Sequence, residues 1–332
     1  MYTITVAEGE DGQRLDRFLK KYLRAAPLSL IYRLIRKDVK VGGNRVESGY
    51  MLEAGDEITL YLQEDRIKEL SFDQREGRFA QGAKRSFGIV DEDENILVTS
   101  KPFGLLTHGD KSEKKETLAN QVIAYLLEKK EYDPSSGTMF TPSPVNRLDR
   151  NTTGIVVFGK VPKAVRDFNK MFAASGCVEK YYLTIVGGRL EKELLLKDRI
   201  LKDEEKNRVS VLPENGKSGK AAETRAKPIE YLGSFTLVSI RLVTGRPHQI
   251  RAHLAEAGHP VIGDVKYGDK ALNERVAKKY GLKAQFLHAN RLKVVNGLNT
   301  LEYLSGREFI SPLPGKLEEV CEAIRNVNGK VN

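Results

Sequence analysis

The chain reads as a mixed helix-and-strand protein of two domains, on three observations. Its 332 residues amount to about two domains' worth of length. The first 66 residues combine two amphipathic helical patterns with short alternating strands. Beyond residue 86, β-type apolar runs recur at 96–98, 155–158, 180–187 and 236–243, with a helical pattern near 162–174 between two of them.

The elements follow in order. Leu15, Phe18, Leu19 and Leu23 fall at spacings of three and four, one face of a helix. Pro27 interrupts, and Ser29 is expected to cap a second helix carrying Ile31, Leu34 and Ile35. Val39 and Val41 alternate as a short strand ended by Gly42 and Gly43. Gly55-Asp56 is a turn, after which Ile58, Leu60 and Leu62 alternate again. Residues 1–66 are therefore expected as one small domain. Residues 67–86 are polar without a clean period and are expected as a linker, with a second domain over 87–325.

Composition narrows the function. Net charge is +10 and 40% of residues are apolar, so a folded core is expected together with a polyanionic partner. No apolar run approaches the roughly 20 residues that span a bilayer. Met1 to Asp11 hold three acids and no base, unlike a signal or transit peptide, so a soluble cytoplasmic protein is expected. Two cysteines and five scattered histidines argue against a disulfide framework and against metal centres. Gly216-Lys217-Ser218 imitates the end of a phosphate-binding loop, but Val211 stands where its first glycine belongs. With no Rossmann fingerprint either, no cofactor is expected. Charge is uneven: residues 14–40 hold nine bases and two acids, and Arg33, Arg36 and Lys37 lie on the second helix as a candidate nucleic-acid surface.

Three stretches carry candidate chemistry. In "PVNRLDRNTTGIVVFGK", Asp149 lies between Arg147 and Arg150 ahead of an apolar strand. Flanking cations favour the charged form, and an ionised, positioned carboxylate can act as a nucleophile. The same pattern also suits a surface salt-bridge cluster. In "EKYYLTIVGG", Tyr181 and Tyr182 point to opposite faces of a strand, so only one can face a given site. In "TGRPHQIRAHLAEAGHPVIGDVKYG", Arg246, His248, Arg251 and His253 crowd a strand-to-helix junction. Pro247 suits the helix's first turn and Gly258 its end, and such a junction welcomes anions.

Two resemblances join these pieces. "RLDRFLKKYL", "SLIYRLIRK", "VKVGGNRV" and "LEAGDEITLYL" resemble the S-four RNA-binding domain, over about residues 12–62. "ILVTSKPFGLLTH", "RLDRNTTGIVVFGK", "KYYLTIVGG", "TGRPHQIRAHL" and "FLHANRL" together resemble the RluA-type pseudouridine synthases, over about residues 86–315. The resemblance implies an α+β catalytic domain with a mixed, mainly antiparallel central sheet flanked by helices. It places Asp149 as the aspartate nucleophile, Tyr182 at the base-stacking position and Arg251 as the aspartate's partner. It gives Arg147 the space left by a flipped base, or a phosphate. One position departs: Asn146 stands where the family usually has histidine.

The reaction so implied is isomerisation of uridine to pseudouridine. It breaks the C1′–N1 bond and joins C1′ to C5, with no group supplied from outside. A uridine inside a stem must be flipped out to be reached. The combination of domains further implies large-subunit ribosomal RNA as partner, and a monomer is expected because that substrate is large. A non-catalytic RNA-binding or ribosome-assembly protein derived from such an enzyme is the alternative, and Asn146 is the feature that favours it.

Overall fold

The computed structural model describes residues 1–6, 10–71, 83–110, 113–134 and 140–328. Its contacts divide the chain into two compact units. One is Met1–Arg85 with Gly109–Ser143 and Lys160–Lys163; the other is Ser86–His108, Pro144–Gly159 and Ala164–Asn332.

The first unit contains β1 (Tyr2–Thr5), α1 (Leu15–Tyr22), α2 (Leu28–Lys37), β2 (Val39–Val41), β3 (Glu57–Leu60) and α3 (Glu64–Ser71). The strands form an antiparallel sheet in the order β1-β3-β2. The expected apolar stripes of both helices converge, with Leu15, Phe18, Leu19, Ile31, Leu34 and Ile35 in one buried core. Two expectations are corrected. Pro27, not Ser29, stands at the N-cap position of α2, without a capping side-chain hydrogen bond; its fixed φ of −65° suits a helix start and places Ser29 inside the first turn. The expected linker begins instead as α3, because Ile67 and Leu70 find apolar partners in the same core and Leu70 accepts a hydrogen bond from the Ala25 amide. The stretch 72–82 of that linker lies outside the described residues.

The expected unbroken span 87–325 also lends a segment to this unit. Residues 109–143 carry α4 (Leu118–Glu128), capped by Thr117, whose hydroxyl accepts from the Asn120 amide at 3.2 Å. Two contacts tie them to the N-terminal residues: Arg24 donates to Thr141 at 2.8 Å, and Arg85 lies over the Tyr125 ring. Such pairings at long sequence separation leave no local signature.

The second unit is built on one large sheet. Its strands are β4 (Gly88–Glu92), β5 (Ile96–Lys101), β7 (Thr153–Gly159), β8 (Val178–Gly187), β9 (Leu194–Asp203), β10 (Arg208–Leu212), β11 (Lys220–Leu232), β12 (Phe235–Leu242), β13 (Leu287–Val294) and β14 (Glu308–Ile310), with β6 the two-residue Ser143–Pro144. The main path runs β10-β9-β11-β12-β8-β13-β7-β5-β4, and β14 pairs with β13. The β13–β7 pairing is parallel and the others along this path are antiparallel, so the sheet is mixed and mainly antiparallel, as expected. Helices α5 (Pro162–Ala173), α6 (Gln249–Glu256), α7 (Lys270–Tyr280) and α8 (Gly315–Asn328) complete it. Residues of α7, α8, β8, β11 and β12 share one core around Ile185, Phe235, Phe286 and Ile324. Ala252 of α6 packs with Ile200, Val209 and Ala222 of β9 to β11. No described helix is long and apolar enough to cross a membrane.

Every residue of β7 is buried, which explains its unbroken apolar run. Gly154 is required at its start. Its φ is +106°, and an added Cβ would stand 2.2 Å from the Ala289 carbonyl oxygen of β13. This close approach seats the Asp149 loop against the sheet.

Candidate active site

The Asp149 loop is tied down from both sides. The Thr152 amide donates to the Asp149 carbonyl at 3.0 Å, closing a turn. Thr107 Oγ1 donates to the Leu148 carbonyl and accepts from the Leu148 amide, both at 3.2 Å. Lys101, at the end of β5, is 1% exposed and donates to the carbonyls of Pro102, Leu105 and Arg150 at 3.1, 2.6 and 2.9 Å. Burial pushes its pKa down to about 7, and Asp149 pulls the other way. The three carbonyls take all three protons of the ammonium form, so the lysine pins the loop to the β5 turn.

Asn146 completes the anchoring. Its Nδ2 donates to the Ile155 carbonyl at 3.1 Å, and its Oδ1 accepts from the Val157 amide at 2.8 Å. The side chain thus mimics a paired strand alongside β7, next to the Val145 amide, which donates to the Val157 carbonyl at 2.9 Å. As a substitute for the family's histidine, Asn146 is also a candidate substrate-binding residue. It does line the cleft, but both ends of its amide are engaged by the protein.

Arg251 meets Asp149 from α6. Its Nη1 donates to Asp149 Oδ2 at 2.8 Å. Its Nε and Nη2 donate to Asp264 Oδ2 and Oδ1 at 2.6 and 2.8 Å, a two-pronged pair. Asp264 is fully buried and also accepts the amides of Lys266 and Tyr267 at 2.9 and 3.1 Å. Burial opposes its charge, but the Arg251 and amide hydrogen bonds outweigh that and hold its pKa below the ordinary value. For Arg251 burial also opposes the charge, yet Asp264 and then Asp149 keep the guanidinium firmly ionised.

The strand-to-helix junction is pinned by Gln249, which is 2% exposed. Its Oε1 accepts from the Arg246 amide and from Thr244 Oγ1, and its Nε2 donates to the Glu223 carbonyl and to Thr224. The helix starts at Gln249, with His248 as a left-handed N-cap at φ 51°. Pro247 therefore precedes the helix instead of filling its first turn. His248 Nδ1 lies 2.9 Å from the Tyr267 hydroxyl, and its Nε2 lies 3.9 Å from Asp149 Oδ2. His253 Nδ1 pairs with Thr224 Oγ1 at 2.9 Å, inside the fold.

Asn146, Arg147, Asp149, Tyr182, Arg246, His248 and Arg251 all line one cleft of about 450 Å³. Tyr182 is buried, and burial followed by Asp149 pushes its phenol well above the ordinary range. Tyr181 faces the other way, with the Arg291 guanidinium 4.0 Å from its ring centroid. Among the described residues lining the cleft, Asp149 is the one acid, against Arg147, Lys180, Lys202, Arg246 and Arg251. Arg33, Arg36 and Lys37 lie on the exposed face of α2, in the other unit.

Sequence reading missed four residues. Lys180 lines the cleft on the same strand face as Tyr182, two positions away, and burial lowers its pKa. The period of two could have found it. Asp264 and Tyr267 sit in the quoted "GDVKYG", but nothing local says that they turn toward α6. Lys101 lies beyond the apolar run 96–98, and nothing local marks it. Among the described residues, no group of three or more His, Cys, Asp or Glu side chains is arranged to hold a metal ion.

Comparison with known proteins identifies the family and supports the fold. The RNA pseudouridylate synthase family matches residues 95–256. "Ribosomal large subunit pseudouridine synthase C" of Salmonella typhimurium is 33% identical over 331 residues, covering 97% of this chain and 96% of that protein. Its namesake from Escherichia coli O157:H7 is 34% identical with the same coverage. Among solved structures, "Human RNA Pseudouridylate Synthase Domain Containing 4" superposes with a TM-score of 0.57 at 22% identity, covering 76% of this chain and 97% of that one, which supports the fold. The chain belongs to the RNA pseudouridine synthase family, a family of isomerases.

Proposed function

We propose that this enzyme converts specific uridines of large-subunit ribosomal RNA to pseudouridine, with Asp149 as the nucleophile. The observation that carries this is the Asp264–Arg251–Asp149 chain, which presents one carboxylate in a cationic cleft with Tyr182 in its wall. Arg251 holds the carboxylate ionised and oriented while Asp264 holds Arg251. Tyr182 stacks on the flipped uracil. Arg147, Arg246 and His248 line the cleft toward the RNA, and Arg147 fills the space that the base vacates or holds a phosphate. Asn146 serves by fixing the loop.

The reaction balances without a co-reactant. The C1′–N1 bond breaks, C1′ joins C5, the C5 hydrogen leaves as a proton, and N1 gains one. The relatives named for the large ribosomal subunit support the substrate. Residues 1–66 act as an S-four-type RNA-binding domain, gripping backbone through Arg33, Arg36 and Lys37. The enzyme works as a cytoplasmic monomer on a large RNA.

The test is release of tritium from RNA carrying uridine labelled at C5, with ribosomal and transfer RNA side by side and Asp149→Ala as control. Release from ribosomal RNA alone, lost in the variant, is the expected result. Release from transfer RNA alone would overturn the substrate, and none from either would overturn the reaction.

A further inference from the structure

Tyr267 is absent from the cleft lining but touches several of the groups that shape it. Its hydroxyl accepts the Val209 amide at 2.8 Å and lies 2.9 Å from His248 Nδ1. The two rings meet edge-on, with centroids 5.6 Å apart. The guanidinium carbons of Arg208 and Arg251 lie 5.2 and 5.3 Å from the tyrosine centroid.

A phenol has one proton to give. An amide N–H only donates, so the hydroxyl accepts from Val209 and its own proton is directed to His248 Nδ1. In a neutral imidazole that leaves the hydrogen on Nε2. Nε2 is the nitrogen that faces Asp149, 3.9 Å from Oδ2. The reverse tautomer would give the phenol two donors to accept and, among the described residues, no side-chain or backbone acceptor for its own proton. It would also set the imidazole lone pair against a carboxylate oxygen.

The surroundings favour this state. Burial lowers the His248 pKa, opposed by Asp149 and Asp264 and reinforced by Arg251 and Lys266, so the ring is held toward its neutral form. Burial raises the Tyr267 phenol above its ordinary value, so it stays protonated at neutral pH. The left-handed backbone of His248 is a costly conformation for a side-chain-bearing residue and persists where its neighbours hold it. On the far side of the phenol, Val209 pairs in register with Lys202, which lines the cleft. One hydroxyl thus joins the β9–β10 hairpin to the imidazole beside Asp149.

We propose that Tyr267 is a positioning residue that fixes His248 as its Nε2–H tautomer, so that the imidazole offers a donor toward Asp149 and bound RNA. The proposal rests on Asp149 being the reacting carboxylate, but the tautomer is read without any reaction. Two-bond proton–nitrogen NMR correlations of the labelled full chain at neutral pH report which ring nitrogen carries hydrogen, and His248→Gln assigns the signal. Expected is an unprotonated Nδ1 and a protonated Nε2 for His248. A protonated Nδ1 at His248 in the unaltered protein overturns the proposal.

Tyr267→Phe adds the second arm. It is expected to move the ring toward the Nδ1–H form. It should slow single-turnover tritium release about tenfold, the size expected for one lost orienting hydrogen bond, with RNA affinity held within about twofold. An unchanged tautomer, or lost affinity at an unchanged rate, overturns the proposal. Absence of release from the unaltered protein would instead count against the reaction, and the tautomer would still decide the role of Tyr267.

Discussion

Arg251 divides one guanidinium between two carboxylates, giving Asp264 two hydrogen bonds of 2.6 and 2.8 Å and Asp149 one of 2.8 Å. The division matches exposure: the Asp264 side chain is 0% exposed and that of Asp149 27%. The buried carboxylate anchors the arginine, and the arginine presents the open carboxylate. Asp264→Asn should therefore act on stability and activity together. Removing one partner from a buried ion pair costs about 3–5 kcal/mol. Urea denaturation should show a loss of that size, and a loss under about 1 kcal/mol would deny Asp264 its anchoring role.

Asp149→Asn should separate chemistry from folding. Its side chain is partly open and Arg251 keeps Asp264, so unfolding should change by no more than about 1 kcal/mol. Tritium release should be abolished while RNA binding survives. Measurable turnover in that variant would remove Asp149 from the reacting centre.

Asn146→Ala removes two side-chain hydrogen bonds to β7. The orphaned Ile155 carbonyl and Val157 amide should cost about 1–3 kcal/mol. Because the loop carries Asp149, the rate should fall more than RNA affinity does. The opposite split, weaker binding at full rate, would return Asn146 to the set of RNA contacts.

Replacing Arg33, Arg36 and Lys37 together by serine tests the basic helix. Each phosphate contact contributes about 0.7–0.9 to the slope of log affinity against log salt, so the slope should flatten by about 2. A slope equal to that of the unaltered protein would take α2 out of the RNA interface.

His253 sets a pH dependence of folding. It is 1% exposed, its Nε2 has no hydrogen-bond partner among the described residues, and burial pushes its pKa down to about 4 from 6.5. The unfolded chain therefore binds more protons between those values, and stability falls as pH drops from about 6.5 toward 4. The full shift corresponds to about 3 kcal/mol. His253→Gln should flatten the stability profile across that window, and an unaltered profile would assign the acid sensitivity elsewhere.

Local periodicity carried much of the fold. The apolar runs expected at 96–98, 155–158, 180–187 and 236–243 lie within, or one residue beyond, β5, β7, β8 and β12. The strands extend further than their apolar runs because backbone pairing continues through Thr153 and Lys101, which the pattern does not mark. The same local signal missed α3, since Ile67 and Leu70 look scattered until a core exists to receive them.

What the sequence determined by itself was the order of the elements and the residue types present at each motif, because both depend on neighbours a few positions apart. It also named the cleft's Asp149, Tyr182 and Arg251, through the order of several motifs. Only the tertiary structure decided which partners those side chains keep. Asp149 and Arg251 are 102 positions apart, and Lys101 reaches the Arg150 carbonyl across 49. Asn146 became a strand partner of β7, and Tyr267 became the link between β10 and His248. The physical reason is common to all of these. A buried polar group must find its partner wherever the folded chain brings one, and that partner is chosen by the packing of distant segments rather than by anything written beside it.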